Sequence, residues 1–250
     1  ILQGETIRQF NILSSSRYSK KSPNNYLHFE EKLPLKVKEI TSKGKLIYWV
    51  FEKNMYMSNS LGMTGIWSKE KEKHASIEIV YNKNKKLYFI DQRRFGNIVF
   101  YKNKQELNEK LDTLGPDLLN DKTLTFTIFK QRLLKHPNWN ITKALMDQGV
   151  ISGIGNYLKS ESLYEAKLSP HRTIDSLNNN DLLDLYHACK MKIISSYLDK
   201  GVSMRDFVDV NGKKGNHEFK LKVYCKAYDP YGRKVFRETT KDGRTTHWVP

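Results

Sequence analysis

Cysteine is almost absent from this chain of 250 residues, which contains only Cys189 and Cys225. Neither belongs to a CxxC pair, so the sequence excludes a disulfide framework and a zinc finger built on four ligands. Long hydrophobic runs are also missing, since the longest uninterrupted one, 46–51, is far too short to span a bilayer. The first ten residues contain no apolar run of the kind found in signal peptides. We therefore expect a soluble, intracellular protein with reduced thiols.

Acidic residues are too few to balance the basic ones. The chain has 43 Lys and Arg against 27 Asp and Glu, a formal net charge of +16. This charge excludes an acidic disordered tail and makes a polyanion, nucleic acid or an acidic membrane surface, the first partner to consider. Apolar residues at 38% and aromatic residues at 12% are sufficient for a globular fold of one large or two modest domains.

The first hundred residues are dominated by strand patterns. The run 46–51 consists of branched and aromatic residues typical of a buried strand. Residues 77–81 alternate apolar and polar side chains, and 87–90 follow a turn-like stretch at 82–86. Several short strands separated by turn signals predict an antiparallel sandwich or barrel.

Beyond Gly115 the spacing of apolar residues becomes helical. It predicts helices over 141–146, 156–166 and 181–198. Asn140 is placed to cap the first of these with its side chain.

The tail of the chain is basic and returns to a strand pattern over 221–249, after a loop at 210–216. Residues 241–243 predict the turn of a hairpin. Residues 213–244 contain ten basic and four acidic residues, a net charge of +6. This favours a surface that follows a nucleic-acid backbone, although a solvated hairpin face also explains it. The interleaved aromatic residues are Tyr224, Tyr228, Tyr231, Phe236 and Trp248.

Glycines at 153 and 155 lie between two predicted helices, directly before Asn156. Glycine lets backbone amides approach a ligand closely, and the following helix points its positive end at that ligand. Phosphate is the natural occupant of such a site. The pattern is neither a P-loop nor a dinucleotide fingerprint, and an ordinary tight turn explains it equally well.

Two further turns carry residues suited to a disrupted base stack. In 91–96 (DQRRFG), arginine and phenylalanine at a turn could enter the stack and hold an orphaned base. Met63, within LGMTG at 61–65, could act as a companion wedge. From spacing alone, a salt-bridged turn and a buried methionine remain the simpler interpretation.

Lys43 and Lys45 flank a single glycine. If all three residues lie in a strand, the two ammonium groups share a face and lower each other's pKa, which favours a nucleophilic amine. The same pair would also bind a phosphate. Two solvated surface lysines are the commoner outcome.

Taken in order, seven segments resemble the formamidopyrimidine-DNA glycosylase and endonuclease VIII family. Each motif is weak alone, but their order is specific, and together they reach from about residue 41 to the end of the chain. The segments are 42–45, 61–65, 91–96, 114–117, 145–170, 203–215 and 243–248.

The resemblance implies an α+β fold, with an N-terminal antiparallel β-sandwich over 1–115 and a helix-two-turn-helix domain over 124–220. It also implies a zinc-less β-hairpin finger over 221–250, as in the Nei-like branch of animals and giant DNA viruses. Where zinc-finger members carry cysteine pairs, this chain has DPYG at 229–232 and WVP at 248–250. We therefore expect the hairpin to hold its shape by packing and strand pairing.

The same resemblance implies two sets of DNA-contacting residues. The phosphate-binding set consists of Lys45, Gly155, Asn156, Arg244 and, as a weaker match, Tyr224. The set that fills the gap left by a flipped nucleotide consists of Met63, Arg93 and Phe95.

The chain departs from the family pattern at its beginning. The family's nucleophile is the amine of an N-terminal proline, followed by a catalytic glutamate, whereas this chain begins ILQGE and its residues 4–7 match the strand after the family's first helix. Glu5 has the wrong context to be the catalytic glutamate. Either a leading segment supplies the proline, or this version lacks the usual chemistry. Gly149 also stands near a position where many members have lysine.

These observations leave several hypotheses. The first is a DNA glycosylase with abasic-site lyase activity that removes oxidised bases through an amine Schiff base. The second is a catalytically inactive protein that binds damaged DNA, and a third makes Lys45 a surrogate amine. An RNA-binding translation factor is disfavoured by the motifs DQRRFG and GRTTHW.

The expected partner is double-stranded DNA with oxidised bases or abasic sites, with single-stranded DNA as a further candidate. We expect a monomer with no metal, no cofactor and no membrane contact, located in the nucleus or at a viral or cytoplasmic site of replication. The segment 203–215 resembles the lesion-capping loop of the formamidopyrimidine branch, while the hairpin resembles the Nei-like branch. The choice between 8-oxoguanine and oxidised pyrimidines therefore stays open.

Overall fold

A computed structural model describes residues 2–199 and 220–250. These residues form two compact units, one comprising 2–112 and the other 113–199 with 220–250. The predicted loop at 210–216 and the predicted lesion-capping loop at 203–215 lie outside the described residues. The domain boundaries expected from the sequence stay predictions.

The first unit is built on one antiparallel sheet of eight strands. The strands are β1 (Thr6–Ile12), β2 (Leu35–Lys43), β3 (Leu46–Phe51), β4 (Tyr56–Ser60), β5 (Ile66–Ser68), β6 (Ala75–Tyr81), β7 (Lys85–Ile90) and β8 (Asn97–Tyr101). Their order in the sheet is β5-β7-β6-β1-β2-β3-β4-β8, and its middle is narrow because β1 and β2 share only the registered pairs Thr6↔Lys36 and Ile7↔Leu35. Two helices, α1 (Tyr26–Glu30) and α2 (Lys104–Asp112), accompany them.

Both halves of this sheet contribute to one core, as expected for a sandwich. Phe10 on β1 and Phe100 on β8 lie in opposite halves, yet their ring centroids are 5.3 Å apart. Phe29 from α1 stacks on Phe100 at 4.4 Å and fills the space between them. The predicted strand 46–51 matches β3 residue for residue.

The second unit is mainly helical. Its helices are α3 (Phe126–Leu134), α4 (Ile141–Met146), α5 (Asn156–Glu165) and α6 (Asn179–Leu198), with a short 3-10 turn at Ile174–Ser176. Asn140 caps α4 as predicted, accepting a hydrogen bond from the Thr142 amide. The α+β fold class, with an antiparallel sheet followed by helices, is therefore confirmed. No helix among the described residues has the length and apolar character needed to cross a membrane.

The tail differs in part from its predicted strand pattern. It contains a hairpin of β9 (Phe236–Thr239) and β10 (Thr245–Trp248), whose turn includes the predicted residues 241–243. Residues 221–235, however, form turns and a single isolated bridge between Tyr228 and Lys234. The backbone amides of 222–224 bind a side chain of α5 instead of a neighbouring strand.

Replacing Phe100 with alanine is expected to lower the free energy of unfolding by about 3–5 kcal/mol, because this fully buried ring leaves a cavity between two others. Denaturant unfolding of the purified chain measures the change. The matched variant Phe95→Ala removes a ring of the same unit that is 54% exposed, and should cost less than about 1 kcal/mol. Equal losses in the two variants would contradict the assigned core.

Candidate nucleic-acid interface

Two loops of the first unit are joined by one buried carboxylate. Asp91, at the end of β7, is 4% exposed. It accepts a hydrogen bond of 2.6 Å from the Gly96 amide and one of 3.2 Å from the Thr64 hydroxyl. Asp91 therefore closes its own loop, 91–96, and ties it to the loop 61–65.

Glycine is required where these loops meet. Gly62 has a φ of +66°, in the left-handed region that disfavours a side chain. A Cβ atom there would also lie 2.8 Å from the carbonyl carbon of Phe95. The backbones of the loops 61–65 and 91–96 thus approach more closely at position 62 than a residue with a side chain would allow.

The three residues predicted to fill a gap in DNA lie together on these loops. Met63 is 58% exposed and Phe95 54% exposed, which excludes the alternative of a buried methionine. The Arg93 guanidinium lies 3.5 Å from the Met63 sulfur and 4.9 Å from the centre of the Phe95 ring. We call Met63, Arg93 and Phe95 the wedge cluster. Such a cationic and apolar surface, held on a braced loop pair, is suited to insertion into a base stack.

A serine-rich segment that contains Arg17 and Tyr18 braces the loop 91–96. This interaction was not predicted from the sequence. The guanidinium of Arg17 donates to the carbonyl oxygens of Arg94 and Gly96 at 3.4 and 3.3 Å. The hydroxyl of Tyr18 accepts from the Ile98 amide at 2.8 Å. Hydrogen bonds between residues nearly eighty positions apart leave no local pattern.

The strand interpretation of Lys43 and Lys45 is wrong. Lys43 ends β2, but Gly44 has a φ of +58° and Lys45 lies in the turn before β3. The alternation of side chains along a strand therefore does not bring the two ammonium groups together. The Lys43 ammonium instead donates to the Leu111 carbonyl at 2.8 Å, while Lys45 is exposed at the turn.

In the second unit, the predicted phosphate-binding glycines precede α5. Gly155 is the N-cap and Asn156 the first helical residue, so the positive end of a ten-residue helix lies here. The Gly153 amide donates to the Gln148 side chain at 3.0 Å. An anion at this helix end would therefore bind amides from Gly155 onward.

Asn156 is held beside the finger hairpin. Its side-chain nitrogen Nδ2 donates to the Thr245 carbonyl at 2.9 Å and to the Tyr224 hydroxyl at 3.4 Å. Arg244, the residue before Thr245, is exposed at the turn. Asn156, Tyr224 and the turn bearing Arg244 are thus collected on one side of the second unit.

Buried polar residues of α5 hold the segment that leads into the hairpin. The Glu161 carboxylate is 1% exposed and accepts hydrogen bonds from the amides of Lys222, Val223 and Tyr224, at 2.8 to 3.0 Å. The hydroxyl of Ser160, next to it on α5, accepts from the His247 amide of β10 at 3.2 Å. These residues were not predicted from the sequence, because charged and polar positions inside a helix normally indicate an exposed face.

At 229–233, a buried carboxylate organises the turn. Asp229 accepts hydrogen bonds from the amides of Tyr231 and Arg233, from the Arg233 guanidinium and from the Tyr164 hydroxyl. Burial alone raises the pKa of Asp229, but these donors hold it below its ordinary value. In the part of the chain that the structure describes, no group of three or more His, Cys, Asp or Glu residues could hold a metal ion.

Comparisons with known proteins agree with this arrangement. The family model "Formamidopyrimidine-DNA glycosylase N-terminal domain" matches residues 1–98, and "Formamidopyrimidine-DNA glycosylase H2TH domain" matches 114–207. The formamidopyrimidine-DNA glycosylase of Prochlorococcus marinus strain MIT 9215 is 30% identical over 208 residues, covering 79% of this chain and 70% of that protein. The enzyme of the same name from Desulfitobacterium hafniense strain DCB-2 is 29% identical over 202 residues, covering 78% and 73%.

Solved structures show the same fold. The MutM (Fpg) protein of Thermus thermophilus superposes with a TM-score of 0.84 at 28% identity, covering 100% of this chain and 91% of that one. The Lactococcus lactis Fpg in complex with DNA containing an abasic site gives a TM-score of 0.87 and coverages of 100% and 92%. At 21% identity, the second likeness concerns the fold alone. The chain belongs to the formamidopyrimidine-DNA glycosylase family.

Replacing Gly62 with alanine should destabilise the first unit more than replacing Gly4. Both glycines have positive φ values, +66° and +85°, so both variants carry the backbone cost of about 1–2 kcal/mol. Only at Gly62 does the new methyl group meet another backbone, whereas Gly4 has nothing within 4 Å. Urea unfolding compares the two, and equal losses would show that the loops are not in close contact.

The stability of the second unit should fall in mild acid because of His247. This side chain is 5% exposed, and burial, followed by the charges of Arg237 and Lys159, lowers its pKa against an opposing effect of Glu161. Below its ordinary pKa of 6.5, the unfolded chain binds a proton that the folded chain resists, so the free energy of unfolding decreases as the pH falls. His247→Phe, which keeps a ring against Tyr224, should flatten this dependence in denaturant titrations between pH 7.5 and 5.5, roughly the window in which histidine titrates. If the free energy of unfolding of His247→Phe depends on pH as strongly as that of the unchanged chain, His247 is not the cause of the dependence.

Proposed function

We propose that this chain is the DNA-recognising part of a base-excision repair glycosylase that also cleaves abasic sites. The exposed wedge cluster on two braced loops is the observation that carries the proposal. An enzyme that acts on a base inside a duplex must first remove it from the stack, and the vacated space must be filled. Membership of the family indicates the reaction, base excision, for which the wedge cluster would prepare the DNA.

The substrate is duplex DNA with an oxidised base or an abasic site. A net charge of +16 favours binding to the phosphate backbone, with a strong dependence on salt. In the second unit, Asn156 at the helix N-terminus and Arg244 on the exposed hairpin turn bind phosphates. We assign the hairpin to the zinc-less kind, a proposal supported by the preceding turn at 229–233, which Asp229 organises through hydrogen bonds.

The reaction proceeds through a Schiff base. An amine attacks the sugar C1′, displaces the damaged base, and becomes an iminium that withdraws electrons for the elimination that cuts the strand. We assign this amine to an N-terminal proline in a segment preceding Ile1, with the following glutamate as acid and base. Lys45, exposed at the β2–β3 turn, binds phosphate beside the lesion.

Borohydride trapping tests the nucleophile. Chain 1–250 and a version extended upstream so that it begins with Pro-Glu are incubated with a duplex containing one abasic site. We expect a covalent adduct only with the extended protein, and its loss on changing the proline with Lys45 intact. Trapping by chain 1–250 would assign the chemistry to an internal amine, with Lys45 as first candidate. If the extended protein binds abasic DNA but is never trapped, it is a damaged-DNA-binding protein without catalysis.

The wedge cluster should affect the reaction rate on duplex DNA but not on single-stranded DNA. In the extended protein, Met63→Ala with Phe95→Ala should reduce excision from a duplex by about 10–100-fold, because stabilisation of the vacated stack is lost, while an abasic site in single-stranded DNA needs no wedge. Single-turnover excision and cleavage assays measure both substrates. Met191→Ala, on α6, removes an equally exposed methionine and serves as the control. Equal losses on both substrates would refute the wedge role.

A further inference from the structure

A lysine and an aspartate form a fully buried ion pair between α5 and the finger hairpin. The Lys159 ammonium lies 2.6 Å from the Asp242 carboxylate, and the two side chains are 0% and 3% exposed. Lys159 follows Asn156 by three residues on α5, and Asp242 lies in the turn between β9 and β10. The pair therefore fastens the tip of the hairpin to the helix whose N-terminus carries Asn156.

The turn that carries Asp242 is organised around the carbonyl of Arg244. The Thr240 amide donates to the Arg244 carbonyl at 3.1 Å, and the Thr240 hydroxyl lies 3.2 Å from the same oxygen. That hydroxyl donates to the Asp242 carboxylate at 2.5 Å and lies 2.6 Å from the Thr246 hydroxyl. Asp242 is thus coupled to the backbone of Arg244 through a single side chain, that of Thr240.

The charge of Arg244 acts on the buried pair. Burial lowers the pKa of Lys159, Asp242 opposes that change, and the charge of Arg244 adds to the lowering. Because an unpaired buried charge is very costly, the ammonium can remain buried there only while Asp242 stays in place. The position of the turn is therefore fixed by a charge requirement and not by strand pairing alone.

We propose that Lys159 and Asp242 are positioning residues, which hold the turn so that Arg244 and Asn156 contact DNA phosphates together. The pair touches no DNA itself, and the inference rests on the proposed function of Arg244. A phosphate contact made by a guanidinium on a loose turn would lose much of its value, because the side chain and turn would have to be ordered on binding.

A double-mutant cycle distinguishes positioning from general stability. Binding to an abasic-site duplex is measured over a range of salt for the chain, Arg244→Gln, Lys159→Met and the double variant, at a temperature where circular dichroism shows all to be folded. In the parent chain we expect Arg244→Gln to weaken binding about tenfold or more and to reduce the salt slope by about one. In the Lys159→Met background the same change should cost less than about threefold.

A purely structural role predicts a different result. If Lys159 contributed only to folding, the Arg244→Gln change would cost the same factor in both backgrounds, and this result would overturn the proposal. Lys135→Met removes one exposed positive charge from the same unit and is the control for net charge. In that background Arg244→Gln should keep its full effect.

Failure of the underlying function is recognised separately. If Arg244→Gln leaves affinity and salt slope unchanged in the parent chain, the phosphate contact itself is refuted. Should Lys159→Met not fold, Asp242→Asn keeps the shape and the acceptor for Thr240 while removing the charge, and Lys159→Gln with Asp242→Asn offers a neutral hydrogen bond across the same gap. Arg244→Gln should regain part of its cost in the neutral pair, and a cost there as small as in the single variants would contradict the positioning role.

Discussion

The carboxylate of Glu161 accepts hydrogen bonds from three consecutive backbone amides, and the placement of the finger hairpin depends on it. The amides of 222–224 have no strand partner, and a buried acceptor satisfies them instead. A helix that buries the polar side chains of Lys159, Ser160 and Glu161 can hold a hairpin without help from cysteine ligands. Each of these contacts is worth more because water is excluded from it.

The first unit uses the same physical device on a smaller scale. Asp91, buried at a strand end, accepts from Gly96 within its own loop and from Thr64 in the neighbouring one. The exposed side chains of the wedge cluster are thereby carried by backbone that is rigid and closely packed. In both units, a buried carboxylate fixes a segment close to residues that we propose to contact DNA.

The sequence predicted those features that depend on short-range patterns. Strand 46–51, the Asn140 cap and the hairpin turn at 241–243 all follow from local spacing and turn chemistry. The wedge residues were proposed from two short motifs together with the family resemblance, and only the structure shows them in contact. Arg17, Asp91 and Lys159 act across distant segments, so no periodicity or spacing could reveal them. The strand pattern predicted over 221–249 fails in its first half, where a side chain of α5 binds the amides of 222–224 in place of a strand partner.

Amide hydrogen exchange at Val223 and Tyr224 tests this account most directly. Because both amides are bound to a buried carboxylate on α5, they should be protected to the same degree as amides in the middle of α5, although they lie outside regular structure. In Glu161→Gln their protection should fall selectively, while amides of β3 in the first unit keep theirs. Exchange of Val223 and Tyr224 at the rate of an open loop in the unchanged chain would contradict the account.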